Sequence, residues 1–260
     1  MDNIKRCFTI NQNRTTEEFK TYEELIKNNV FQAIEIFYPY DKTEEQLETY
    51  KQNVLNLMKY DIEVVLHLPH GFRSDLLNFE EYEVILQRFK DAIDFAKQFN
   101  VNKLTLHLGS FNDHSKGRQY FIDKSIETIK ILSDYCYPMN LMIENMPGYN
   151  ELGYSPDEIK EIIESSYRSN VKFILDFGHA NVSDYKIEEY IDTLGKYLMH
   201  LHISDNDGTR DQHKPIGCGN IDYKKVFKLL KDYKELYCLE IIYQTDQDLL
   251  NYAKKFNEVI

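Results

Sequence analysis

Residues 200–222, HLHISDNDGTRDQHKPIGCGNID, hold three histidines, four aspartates and three glycines in one short stretch. Apolar Leu198, Leu201 and Ile203 are interleaved with His200 and His202, a pattern that predicts a β-strand. The polar run DNDG at residues 205–208 then predicts a turn that opens a long loop. Imidazole and carboxylate groups are ligands of zinc and manganese, although in polar loops they more often form turns or lie in solvent. The stretch therefore predicts a strand that ends at a candidate metal site.

The composition predicts one globular domain. The chain has 260 residues, of which 42% are hydrophobic, and no Pro/Gly/Ser-rich linker divides it, so we predict a single domain over residues 1–260. The N-terminus lacks the apolar stretch of a signal peptide, and no apolar run is long enough to cross a bilayer. Four scattered cysteines without a CxxC motif are typical of reduced thiols. We therefore expect a cytoplasmic protein without a membrane partner.

The formal net charge of −12 bears on the class of partner. It argues against a broad basic surface for nucleic acid, because such a surface needs clustered lysine and arginine. A local positive groove inside an acidic total is the alternative. The charge therefore favours a small substrate without excluding nucleic acid.

Short apolar runs alternate with amphipathic stretches, and the cycle repeats eight times. Capping-box patterns at residues 15–18 and 43–46, and a Ser-Pro start at residues 155–156, predict helix N-termini between the runs. The alternation predicts an α/β fold, a single parallel (β/α)8 barrel. An open doubly wound sheet is the alternative, but no glycine-rich phosphate loop follows the first strand. The predicted strands are Ile4–Ile10, Phe31–Phe37, Ile62–His67, Val101–Leu108, Asn140–Glu144, Val171–Asp176, Tyr197–Ile203 and Leu236–Ile242.

Ionisable residues end six of the eight predicted strands or lie beside their ends. In a parallel barrel the C-terminal strand ends surround one mouth, where the active sites of this fold lie. A single histidine or carboxylate at a strand end is more often a helix cap or a turn former. Six together predict a site at the mouth, and its members are His67, His107, Glu144, Asp176, His202 and Glu240.

Three further residues extend this set to nine. His179 follows Asp176 by three residues, and Asp211 and His213 lie in the loop after the seventh predicted strand. Nine ligands exceed what one tetrahedral metal uses, so we expect one to three divalent ions per chain, zinc or manganese.

With these residues the chain resembles the xylose isomerase-like TIM-barrel superfamily, which includes the second family of AP endonucleases (endonuclease IV) and many sugar isomerases and epimerases. By similarity to endonuclease IV, all nine residues would ligate three zinc ions. By similarity to the isomerases, Glu144, Asp176, His202 and Glu240 would hold one metal, and the two glutamates would be catalytic and carry protons. The motifs that carry the resemblance are HLPH (67–70), LTLHLGS (104–110), IEN (143–145), LDFGHA (175–180), HISDND (202–207), DQHKPIGCGNID (211–222) and LEI (239–241).

The chain departs from the nuclease pattern at positions that contact DNA. His70 stands where endonuclease IV-like sequences commonly carry a tyrosine, and the loop PYDKTEE (39–45) lacks arginine. Glu35 resembles an acidic residue of the second strand in isomerase-like members. We predict that His70, Arg73, Lys214 and Glu35 bind substrate, the basic ones through a phosphate, although solvated surface charge is the alternative for these. His200 is predicted to lie one layer below His202.

Two enzymatic hypotheses and one non-enzymatic hypothesis follow. The leading one is a metal-dependent isomerase or epimerase of a sugar or sugar phosphate, in which Glu144 and Glu240 exchange a proton. The alternative is an endonuclease IV-type phosphodiesterase with clustered zinc, whose partner would be nucleic acid. A binding scaffold is disfavoured, because a binding protein gains little from so many open charged ligands.

Overall fold

A computed structural model of the chain describes residues 4–71, 74–111 and 114–260. Its eight strands pair in sequence order, all in parallel, and β8 closes on β1. This closed barrel confirms the predicted (β/α)8 fold and excludes the open sheet. The strands are β1 (Lys5–Ile10), β2 (Ala33–Phe37), β3 (Glu63–His67), β4 (Lys103–Leu106), β5 (Asn140–Glu144), β6 (Val171–Asp176), β7 (Leu198–Ile203) and β8 (Leu236–Leu239).

Helices connect successive strands, and the predicted start signals are confirmed. Thr15 and Thr43 form complete capping boxes, and Ser155 accepts a hydrogen bond from the Glu158 amide ahead of Pro156. None of the helices in the described ranges has both the length and the apolar character that a membrane span requires. The helices are α1 (Thr16–Lys27), α2 (Glu44–Met58), α3 (Tyr82–Ala96), α4 (Gly117–Cys136), α5 (Pro156–Ser166), α6 (Phe177–Val182), α7 (Ile187–Leu194), α8 (Tyr223–Leu229) and α9 (Asp246–Val259).

The predicted strand bounds hold for β5 and β6 and run too long for β4 and β8. After β4 the chain turns at Gly109, where φ is +110° and a Cβ would lie 2.2 Å from Asp75 Oδ1, so the position requires glycine. After β8 the Ile242 amide bonds to His213 O in the loop after β7. His107 and Glu240 therefore follow their strands immediately, and the chain leaves the sheet there.

Inside the barrel, every second residue of a strand faces the axis, and these inward residues change from apolar to ionisable toward the C-terminal ends of the strands. A lower layer is apolar and includes Cys7, Val65, Met142, Ile174 and Cys238. The inward positions two residues further along β3, β5, β6 and the end of β8 are His67, Glu144, Asp176 and Glu240. The C-terminal mouth thus lies above an apolar layer, and the larger core packs between the strands and the outer helices.

Candidate metal centre

The first ligand group joins three adjacent strands and consists of His67, His107 and Glu144. His107 Nε2 lies 3.0 Å from Glu144 Oε2, and His67 Nε2 lies 3.8 Å from the same oxygen. His67 donates its Nδ1–H to the Leu68 carbonyl at 2.9 Å, so its Nε2 is left for the mouth. One carboxylate oxygen and two imidazole nitrogens therefore converge.

The second group shares Glu144 with the first and adds Asp176, His202 and Glu240. His202 Nδ1 lies 2.9 Å from Glu240 Oε2, 3.2 Å from Glu144 Oε1 and 3.9 Å from Asp176 Oδ2. Glu144 thus directs Oε2 to the first group and Oε1 to the second. We call these four residues the shared group, because both sequence hypotheses assign them a metal.

The third group consists of His179 on α6 with Asp211 and His213 in the loop after β7. Asp211 Oδ2 lies 2.6 Å from His213 Nε2 and 3.5 Å from His179 Nε2. Both rings are fixed from behind, since the Nδ1 atoms of His179 and His213 bond to the carbonyls of Asn145 and Glu240, each at 2.9 Å. The sequence had given no role to Asn145, which also exchanges two hydrogen bonds with the Asp176 backbone and was visible only as part of the IEN motif.

Crowding of like charge governs the electrostatics of the shared group. Burial, together with the charges of Glu144 and Glu240, raises the pKa of Asp176 to about 7. Burial also raises the pKa of Glu240, but the charge and hydrogen bond of His202 outweigh it and lower that pKa to about 2. Burial lowers the pKa of His213, and the hydrogen bond that His213 donates to Asp211 reverses this and raises the pKa to about 10. Protons on Asp176 and on His213 therefore offset the negative charge of the mouth, a role that a bound cation could take.

The residues fit a divalent ion. Within each of the three groups the ligand atoms lie within 4.8 Å of one another. Among the described residues, Asp176 Oδ2 and Asp211 Oδ1 are buried without any hydrogen-bond partner, which is costly unless an ion satisfies them. Neutral nitrogen with anionic oxygen suits zinc or manganese. The structure thus brings all nine predicted ligands into three adjoining groups.

Beneath the mouth, Glu35 occupies a different place from the one expected. It is fully buried on β2, and its Oε2 lies 2.8 Å from His200 Nε2 and 2.7 Å from His202 Nε2. Its Oε1 accepts a hydrogen bond from Thr105 at 2.7 Å. The expectation that Glu35 contacts substrate is therefore corrected, because both of its oxygens are engaged below the ligands. His200 lies one layer below His202, as predicted.

A cavity of about 660 Å³ opens beside the shared group and is within the size range of small-molecule sites. Glu240 and His213 line one side and His70 another. His70 is exposed at the cavity rim, and partial desolvation with the nearby imidazoles of His67 and His107 lowers its pKa, so its ring is neutral near pH 7. The remaining wall comes from residues 11–14 after β1, Phe37, Tyr38 and Tyr40 after β2, and residues 241–243 after β8.

The basic side chain found at the cavity wall is not one of those that were predicted to bind substrate. Arg14 is the one arginine or lysine among the described residues that line the cavity, and it pairs with Glu18 at 2.7 Å and donates to the Tyr243 carbonyl at 2.8 Å. Lys214 does not line the cavity and lies 3.6 Å from Asp207. Arg73, also predicted to bind substrate, lies outside the described residues. Arg14 and the polar residues 11–13 were not predicted to line the site. The polar run NQNR directly after the first strand was the one feature of the sequence that could have indicated them.

Comparison with known proteins places the chain in a family. A family model described as "Xylose isomerase-like TIM barrel" matches residues 24–257. An uncharacterized protein of Methanocaldococcus jannaschii is 28% identical over 184 residues, which span 67% of this chain and 62% of that protein. A second uncharacterized protein of the same organism is 30% identical over 206 residues, 76% of this chain and 77% of that protein.

Two other relatives have names that point to different reactions. A probable endonuclease 4 of Carboxydothermus hydrogenoformans is 22% identical over 232 residues, 81% of each chain. A putative hydroxypyruvate isomerase of Drosophila melanogaster is 26% identical over 227 residues, 80% of this chain and 79% of the relative. The names of these two relatives correspond to the two chemistries predicted from the sequence.

Among solved structures, a D-tagatose 3-epimerase-like protein superposes with a TM-score of 0.79 and 23% identity over 98% of this chain and 99% of its own. A D-psicose 3-epimerase superposes with a TM-score of 0.78 and 15% identity over the same shares. At these identities the superpositions show the fold alone.

Proposed function

The chain belongs to the xylose isomerase-like TIM-barrel family, and from this premise we propose that it is a divalent-metal-dependent isomerase or epimerase of a small sugar. One observation carries the proposal: a cavity of small-molecule size opens directly on Glu240, a carboxylate of the shared group. Neighbours in the family and among solved structures are named as a hydroxypyruvate isomerase and sugar epimerases. The predicted cytoplasmic location accords with four cysteines that are all free.

The cavity wall favours an uncharged sugar over a sugar phosphate. Amide side chains of Asn11, Gln12 and Asn13 offer donors and acceptors for hydroxyl groups, and aromatic rings offer apolar faces. In the described part of the wall the single guanidinium, that of Arg14, is already paired. A phosphate there would lack the free cation that such groups usually bind.

Glu144 and Glu240 have different roles in the proposed reaction. When bound, a divalent ion supplies a Lewis acid that polarises a substrate carbonyl and acidifies the neighbouring C–H. Glu240 lines the cavity with 13% of its side chain exposed, whereas Glu144 is only 1% exposed and lies behind His107. We therefore assign to Glu240 the removal of the proton next to the carbonyl. In an isomerase protonated Glu240 delivers the same proton to the adjacent carbon, and Glu144 acts as a ligand of the metal. In an epimerase Glu144 would have to start protonated to deliver a proton to the opposite face of the same carbon, while Glu240 keeps the proton that it removed.

Isotope exchange tests this proposal. Metal-loaded protein incubated with ketoses, aldoses and their phosphates in deuterated water should place deuterium next to a carbonyl, detected by NMR or mass spectrometry. Glu240→Gln should abolish exchange because an amide accepts no proton, whereas the exposed Glu127→Gln on α4 is the matched control and should not. Exchange that persists in Glu240→Gln would contradict the assignment.

Hydrolysis of a phosphoester is the second candidate, and the divided carboxylate of Glu144 favours it. Glu144 Oε2 lies at the first ligand group and Oε1 at the second, so Glu144 would contribute to holding an ion in each, and two ions would supply the hydroxide and the charge stabilisation that phosphoester hydrolysis uses. His107→Ala distinguishes the candidates. It should lower the number of bound ions by one and stop hydrolysis in a multinuclear enzyme, and it should leave isotope exchange largely intact in a mononuclear isomerase. Cleavage of an abasic-site duplex without isotope exchange into any sugar would reverse our order of preference.

A further inference from the structure

Glu35 holds two imidazole rings of one strand in a fully buried position. His200 and His202 face the barrel axis from β7, two residues apart, and both direct Nε2 to Glu35 Oε2. The second oxygen, Oε1, is taken by the Thr105 hydroxyl at 2.7 Å. All four side chains are buried, with exposures of 0%. The carboxylate is therefore part of the barrel interior and not of the cavity.

The hydrogen bonds fix which nitrogen of each ring carries a proton. An ionised carboxylate only accepts, so the Nε2 atoms of His200 and His202 must both be the donors. The other nitrogen of His202, Nδ1, then faces Glu144 and Glu240 at 3.2 and 2.9 Å. A divalent ion needs the lone pair of one imidazole nitrogen, and a hydrogen bond at the opposite nitrogen sets the ring's tautomer and orientation.

We propose that Glu35 is a positioning residue that fixes His202 with a protonated Nε2 and presents its Nδ1 to the metal of the shared group. The inference rests on the proposed metal centre but not on the reaction that takes place there. It explains why a carboxylate, which is costly to bury, lies on β2 only two residues after Ala33 of the apolar layer.

His200 completes the arrangement from below. Its Nδ1 is buried without a hydrogen-bond partner among the described residues, so the bond from Nε2 to Glu35 is what orients the ring. Glu35 Oε1 is thus bonded to Thr105 and Oε2 to His200 and His202, so both oxygens are engaged below the shared group. The ligand histidines at the rim follow the same rule with carbonyl partners, since His67, His179 and His213 all donate Nδ1–H to the backbone.

The test compares Glu35→Gln with Thr105→Val. Glu35→Gln keeps the shape but removes the charge, and we expect zinc affinity, measured by competition with a chromophoric chelator, to fall about tenfold or more. Thr105→Val removes one hydrogen bond and leaves the carboxylate and both imidazoles, so its affinity should stay close to that of the wild type. If the glutamine variant does not fold, Glu35→Asp keeps the charge but withdraws it by one methylene, and a smaller loss is expected.

Nitrogen-15 NMR of the imidazoles supplies a readout that packing alone would not change. In the zinc-loaded wild type His202 should show a protonated Nε2 and a metal-bound Nδ1, and in Glu35→Gln this signature should be lost or mixed. A folded Glu35→Gln or Glu35→Asp variant with wild-type affinity and signature would overturn the inference. A wild type that binds zinc without isotope exchange would refute the proposed reaction alone, and a wild type that binds no divalent ion would refute the metal centre and this inference together.

Discussion

Buried charges lie at both ends of the barrel, and the two ends balance them in different ways. At the N-terminal floor, Lys103 Nζ lies 2.7 Å from Glu63 and 2.9 Å from Glu235, and the lysine side chain is only 5% exposed. At the mouth, Glu144, Asp176 and Glu240 converge on one imidazole. The floor is a closed ion-pair network around one lysine, whereas the mouth gathers three carboxylates around one imidazole.

The pKa directions follow from this difference. Burial lowers the pKa of Lys103, but the hydrogen bond and charge of Glu63 outweigh it and raise the pKa above its usual value. At the mouth, burial and neighbouring carboxylates raise the pKa of Asp176, which makes its charged form unfavourable. Opposite charges at the floor pair with each other without any ligand, and the cluster of carboxylates at the mouth is an arrangement that an added cation would suit. The contrast marks the mouth as the functional end.

The largest expected effect is the difference in metal binding between a variant that lacks a carboxylate of the mouth and one that lacks a carboxylate of the floor. Glu144→Ala takes an oxygen ligand from two groups at once, so we expect zinc and manganese binding at the shared group to be lost, as measured by calorimetry and elemental analysis. Glu63→Ala removes a carboxylate of the floor and should bind metal like the wild type. Equal binding by both variants would remove the functional distinction between the two ends.

Acidification should weaken metal binding at the mouth by about tenfold between pH 8 and pH 6. Asp176, with a pKa of about 7, is mostly ionised at pH 8 and mostly protonated at pH 6, and the proton competes with the ion for the same oxygens. Titration calorimetry in buffers of different ionisation enthalpy should also show release of protons on binding. An affinity that is constant over this range, or that rises on acidification, would contradict the raised pKa.

Replacement of the floor cation should have the smallest effect on metal binding and act on stability instead. Lys103→Met leaves Glu63 and Glu235 without their buried partner, and we expect a loss of about 1–3 kcal/mol in the free energy of unfolding, since both glutamates are partly exposed. Urea unfolding gives this value, and the zinc affinity of the folded variant should be unchanged. A variant of full stability and weakened affinity would show that the floor and the mouth are coupled.

The sequence predicted the architecture well, because buried parallel strands are short apolar runs and their ends are marked by ionisable residues. Asn140–Glu144 and Val171–Asp176 have the predicted bounds, and His179 follows Asp176 at the spacing that one helical turn requires. The convergence of the six strand-end residues was predicted in this way, because parallel strands bring their C-terminal ends to one mouth, and metal ligation by the nine residues stays a prediction.

Glu35 was misplaced although the sequence held the needed information. It lies two residues before Phe37, the last residue of its strand, as His200 lies two residues before His202, and that interval is one layer of depth in a barrel. The hydrogen bond from Arg14 to the Tyr243 carbonyl could not be predicted, because it joins residues 229 positions apart, whereas the pair of Arg14 with Glu18 has an i,i+4 spacing that the sequence shows. The depth of a residue inside the barrel can be predicted by counting residues along its strand. Contacts between loops that are distant in sequence can be known only from the folded structure.

Anomalous diffraction at the manganese edge tests the central claim most directly. Crystals grown with manganese should show an anomalous peak between Glu144, Asp176, His202 Nδ1 and Glu240, at the C-terminal mouth of the barrel. Further peaks in the groups of His67 and His179 would indicate a multinuclear centre and favour hydrolysis. Diffraction data of good quality with no peak at the shared group, from crystals saturated with the ion, would contradict the account.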